Sequence, residues 1–95
     1  VDVGGFRLNL YCFGEGQPTI LLESGASWGA IAWAGIQQTL AEQTRARVCS
    51  YDRAGINFSD PGPLKPAPDA NLRNLRELLN QASLPGPYLL VGWAY

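Results

Sequence analysis

Four groups of residues in this 95-residue chain have types and spacings that could do chemistry. Gly92-Trp93-Ala94-Tyr95 follows the apolar run Tyr88-Leu89-Leu90-Val91. The turn directly after a buried parallel strand is where open α/β sheets hold their functional loops. Ser24-Gly25-Ala26-Ser27 follows a second apolar run, Thr19-Ile20-Leu21-Leu22-Glu23, and such small residues let a ligand come close to the backbone. Asp52 and Arg53 follow a third run, Arg47-Val48-Cys49-Ser50-Tyr51. Charges at the end of a buried strand either act on a substrate or persist because they are paired, and pairing is the commoner case. The fourth group is the thiols of Cys12 and Cys49.

Composition excludes several other chemistries. With no His, the chain cannot by itself supply a Ser-His-Asp triad or a histidine metal site. Two Cys without CxxC spacing exclude a zinc knuckle and a disulfide-dense scaffold. Seven Lys/Arg against eight Asp/Glu, with no basic block, leave no footprint for nucleic acid or an anionic membrane. The apolar runs are too short to span a bilayer, and no signal-peptide pattern is present. The length admits one small domain at most.

The elements that must position these groups follow from the hydrophobic period. Phe6, Leu8, Leu10 and Cys12 alternate with Arg7, Asn9 and Tyr11, which predicts a half-buried strand in an antiparallel pairing. The runs at Thr19–Glu23 and Tyr88–Val91 lack that alternation and predict strands covered on both faces, and Arg47–Tyr51 predicts a short strand from its β-branched and aromatic character. From Gly29 to Arg45 the period lengthens, and Trp33, Ile36 and Leu40 mark the inner face of a helix. A second helix is predicted over Asn71–Ala82, with Asp69 as N-cap and Leu72, Leu75, Leu78, Leu79 and Ala82 turned inward. The Pro-rich connector 61–68 precedes it, and Pro85-Gly86-Pro87 follows it. Strands separated by helices imply parallel pairing through crossovers. The chain stops inside the apolar segment 88–95, whereas domain termini are usually exposed and polar, so the domain is expected to continue.

In this order and at these spacings the chain resembles the α/β-hydrolase family. Thr19–Ala26 is similar to the family's strand and oxyanion loop, where many members have His-Gly and one branch has Glu-Ser-Gly. Tyr51-Asp52-Arg53-Ala54-Gly55-Ile56-Asn57-Phe58-Ser59-Asp60 resembles the loop Asp-x-Arg-Gly-x-Gly-x-Ser-Asp. Asn57 stands where Gly is usual, a mild departure because Asn tolerates left-handed backbone. Tyr88–Tyr95 resembles the strand and the start of Gly-x-Ser-x-Gly. The resemblance implies the N-terminal portion of a mostly parallel sheet with an antiparallel first strand and helices on both faces. Residues 1–95 would form the N-terminal part of one domain, whose acid, His and cap come from the remainder.

Matched residue by residue, Ala94 occupies the nucleophile position, where a methyl group has no lone pair to attack with. The backbone N–H groups of Ala26 and Tyr95 would form the oxyanion hole, and Ser27, Trp28 and Trp93 would line the substrate pocket. The implied activity is hydrolysis of an ester, amide or related acyl bond by a Ser at position 94, with no cofactor and no metal. Ala94 would then be an engineered replacement. The alternatives are a natural pseudo-hydrolase that binds a small apolar ligand without turnover, and a doubly wound ligand-binding domain of other ancestry. The family's strand order also sets Cys12 beside Cys49. The pair is then either a cross-strand disulfide, as in a secreted protein, or two buried thiols.

Overall fold

The computed structural model describes residues 1–24, 29–63, 68–84 and 86–92. Its strands are β1 (Leu10–Phe13), β2 (Thr19–Glu23), β3 (Arg47–Tyr51) and β4 (Tyr88–Gly92), and its α-helices are α1 (Gln37–Thr44) and α2 (Pro68–Gln81). A short 3₁₀ helix, Ala30–Trp33, precedes α1. The strands form one sheet in the order β1-β3-β2-β4. β1 runs antiparallel to β3, while β2 is parallel to both β3 and β4. None of the described helices is long and apolar enough to cross a membrane.

The apolar run of β2 is buried because it is sandwiched. Ile20 and Leu22 pack with Val48 against Leu40, Ala41 and Trp33 on the α1 face. Leu21 points the other way, with Cys49, onto Leu79, Ala82 and Leu84 at the α2 end. A third cluster joins Val3, Leu8 and Tyr51 to Leu78. Leu8, Leu22 and Leu78 lose nearly all solvent contact. Burial of a leucine side chain is worth about 2 kcal/mol, so these positions dominate the apolar contribution.

Four elements depart from the sequence expectation, each for a local reason. The first strand covers only Leu10–Phe13, because residues 7–9 bond to a loop instead of a strand. Arg7 N–H donates to Asp60 Oδ2 at 2.9 Å, and Asn9 N–H donates to Ser59 Oγ at 2.8 Å. The first helix is interrupted: a 3₁₀ turn and a bend precede α1, and Ile36 is exposed rather than inward. Its place is taken by Gln37, whose side chain is buried. Its Nε2 donates to the carbonyls of Tyr11 (2.9 Å) and Val48 (3.0 Å), and its Oε1 accepts from Ser50 Oγ (2.6 Å).

The second helix begins at Pro68, so Asp69 lies in its first turn rather than at the cap. Leu72, expected inward, is 57% exposed, while Ala70 and Leu78 are buried. β4 was expected to be covered on both faces, yet Leu89 and Leu90 are 52% and 60% exposed. Among the described residues β4 lies at the sheet edge, paired only with β2, and of its side chains only Val91 joins a core cluster.

Cys12 and Cys49 are Cα partners across β1 and β3, 4.1 Å apart, and their sulfurs are bonded. The link closes a loop of sequence separation 37 and ties the antiparallel outer strand to the parallel core. Thiol titration of the denatured protein without reductant should find neither cysteine free. Cys12→Ser should lower stability by about 3–4 kcal/mol in urea unfolding, from the loop entropy regained by the unfolded chain.

Candidate functional site

The carboxyl ends of β2, β3 and β4 lie together, and two polar clusters organise them. The first is built on Asp52, directly after β3 and 1% exposed. Its Oδ2 accepts from Asn9 Nδ2 at 2.9 Å and its Oδ1 from Ala30 N–H at 2.8 Å. Longer approaches come from Asn57 Nδ2 (3.5 Å) and Phe58 N–H (3.4 Å). The Asp52 carbonyl accepts from Ser59 Oγ at 2.6 Å. The residue thus joins the entry to β1, the start of the 3₁₀ helix and its own loop.

Backbone conformation is matched to this arrangement. Asn57 has φ 47°, the left-handed region that asparagine tolerates, which fits its standing where the family loop has Gly. Gly29 has no side chain because an added Cβ would sit 2.0 Å from Asp52 Oδ1.

The second cluster joins β2 to β3 on the α2 face. Glu23, the last residue of β2, accepts from Tyr51 Oη–H on both oxygens (2.9 and 2.6 Å). Arg53 Nε–H donates to Glu23 Oε1 at 2.7 Å, and Nη2 lies 2.6 Å from the same oxygen. Burial, and then the Glu23 carboxylate beside it, push the Tyr51 phenol well above its ordinary pKa of 10.0. Partial burial works against the charged Arg53 guanidinium, but the hydrogen bond and charge of Glu23, with Tyr51 beside them, together raise it above its ordinary value. Glu23 is also the register partner of Gly92 at the end of β4.

These ties give Asp52, Arg53, Ser59 and Asp60 structural partners. The structure brings Cys12 to Cys49 and sets Gly92 against Glu23. Ala26, Ser27, Trp28, Trp93, Ala94 and Tyr95 lie outside the described residues. Sequence reasoning missed Asn9, Glu23 and Gln37 as partners. A polar residue inside an apolar run was the available signal for Glu23, but none marked Asn9 or Gln37. An apolar hollow of about 520 Å³ lies beside β1, walled by Tyr11, Phe13, Ile31 and Phe58 and bordered by Asp52 and Asn57 of the first cluster.

The strand order and connections are those of the α/β-hydrolases, and the chain has that fold. It is similar to an esterase from Thermogutta terrifontis with malate bound (TM-score 0.80, 24% identity), covering 92% of this chain and 31% of that one. It is also similar to an α/β-hydrolase fold protein from Burkholderia ambifaria (TM-score 0.75, 28% identity), covering 90% of this chain and 31% of that one. Among curated proteins, the probable transporter efuK of Hormonema carpetanum is 31% identical over 101 residues, spanning all of this chain and 14% of that protein. The chain thus spans a third or less of each of these relatives. No family model matches it.

Asp52→Ala should cost about 3 kcal/mol or more, because Asn9 Nδ2 and Ala30 N–H lose their acceptor in a buried place. Gly29→Ala should destabilise in the same direction, and urea unfolding of the full-length protein measures both. In a spectrophotometric titration, Tyr51 should ionise well above the ordinary tyrosine value of 10.0, and Tyr51→Phe should remove that late phase. A raised folded-state pKa favours the neutral phenol, so its contribution is complete below pH 10 and is lost as pH rises further.

Proposed function

We propose that residues 1–95 are the N-terminal part of one α/β-hydrolase domain whose active form hydrolyses an ester, amide or related acyl bond. The observation carrying this reading is the register Glu23↔Gly92, which sets the carboxyl ends of β2 and β4 side by side. The segments after those two strands are the ones that resemble the family's oxyanion loop and nucleophile turn. The likeness to the Thermogutta terrifontis esterase supports the same reaction class.

In this reading a Ser at position 94 attacks the acyl carbon, passing its proton to a His supplied by the remainder of the domain. The N–H groups of Ala26 and Tyr95 stabilise the oxyanion that forms. The leaving group departs with that proton, and water then releases the acyl group by the reverse sequence. Ser27, Trp28 and Trp93 form the substrate pocket for a small acyl compound. The scheme uses no cofactor or metal.

Ala94, as an engineered replacement, leaves the fold and abolishes covalent catalysis. A second reading, favoured by Ala94 itself, is a pseudo-hydrolase that holds a small apolar ligand without turnover. If the disulfide forms in the cell, the protein matures in an oxidising compartment such as the secretory route.

Ala94→Ser in the full-length protein tests the proposal. The variant should be labelled by a fluorophosphonate probe and hydrolyse p-nitrophenyl esters on the order of 10⁶-fold faster than the Ala94 parent. A folded variant that is neither labelled nor active across an acyl panel would leave the binding reading.

A further inference from the structure

We infer that Glu23 is a positioning residue for acyl transfer, fixing the carboxyl end of β2, where the oxyanion-loop segment departs, against the end of β3. This rests on the acyl-transfer reading given above. Glu23, at the end of β2, faces both neighbouring strands. Its backbone is the register partner of Gly92 in β4, and its carboxylate takes the Tyr51 hydroxyl and the Arg53 guanidinium from the end of β3 and the residues beyond it.

Both oxyanion donors of the proposed mechanism lie three residues beyond this pair, Ala26 after Glu23 and Tyr95 after Gly92. Two donors on separate loops must converge on one oxygen, and a displacement of about 1 Å can cost 100-fold in rate. Strand ends are where ladder bonds stop and fraying begins. The Glu23 side-chain tie to Tyr51 and Arg53 removes that freedom at the end of β2, from which the first of these segments departs.

The tie is stronger than an ordinary surface ion pair. Tyr51 is buried, and the Glu23 and Arg53 side chains are only 19% and 25% exposed. Charge-assisted bonds in such a place are stronger and shorter than neutral ones. The residue before the oxyanion loop is therefore chosen for what it holds in β3, and it need not touch substrate.

The test compares Glu23→Ala and Glu23→Gln in the full-length protein carrying Ala94→Ser. Active sites are counted by fluorophosphonate labelling, and kcat and KM are measured on a p-nitrophenyl ester. Glu23→Ala should lower kcat per labelled site about tenfold to 100-fold with KM within about twofold, because the loss falls on the transition state alone. Glu23→Gln keeps an oxygen for Tyr51 and Arg53 and should recover part of that loss. A merely structural role would lower the melting temperature and the labelled fraction, leaving kcat per labelled site unchanged, and that result overturns the inference while the acyl-transfer reading stands. If the Ala94→Ser protein is itself unlabelled and inactive, both fall together.

Discussion

The carboxylate of Asp52 is buried, and among the described residues its charge rests on hydrogen-bond donors rather than on a cation. Burying a carboxylate costs several kcal/mol, so it persists only if its oxygens are well served. The donors come from three stretches far apart in sequence: Asn9, Ala30, and the loop carrying Asn57 and Phe58. The two short bonds, from Asn9 and Ala30, each contribute about 1.5–3 kcal/mol against the desolvation, so neither stretch can leave without that cost. The lead into β1, the start of the 3₁₀ helix and the loop after β3 are held as one unit. Gly29 follows from this constraint, since any side chain there would occupy the place of a carboxylate oxygen.

Around that unit, the polar ties are divided between the two faces of the sheet. On the α1 face, Gln37 joins the helix start to β1 and β3 through three hydrogen bonds. On the α2 face, Glu23 joins β2 to Tyr51 and Arg53 at the carboxyl edge. The disulfide between Cys12 and Cys49 covers the antiparallel pair, where a single outer strand would otherwise depend on its ladder. Apolar packing supplies cohesion on both faces, while these few polar contacts select one register and one arrangement of strand ends. That division suits a hydrolase fold, whose chemistry depends on the placement of loops leaving the same edge.

Much of the architecture was legible because strand and helix periods are local properties. β2 was read correctly from its continuous apolar run, β3 from its β-branched and aromatic character, and the antiparallel first strand from its alternation. The errors came where a partner outside the segment decided the outcome. Residues 7–9 alternate like a strand, yet they bond to Ser59 and Asp60, and nothing local reveals a partner some 50 positions away. Ile36 lost its inward place to Gln37 because the carbonyls of Tyr11 and Val48 sit there. Leu72 has the right spacing for the inner face, but the helix meets the sheet through Leu78.

By itself the sequence determined the element order, the apolar strands and the family resemblance, all of which rest on residue identity and short spacings. Tertiary structure decided which polar side chains serve as anchors. Asp52 and Arg53 carried a choice between chemistry and architecture, and only their partners in the folded chain resolve it toward architecture. Glu23 read as the tail of a strand until its neighbours in β3 and β4 were in place. The physical reason is that a charge is defined by its surroundings. Burial and hydrogen bonding are properties of segments brought together, and no local pattern contains them.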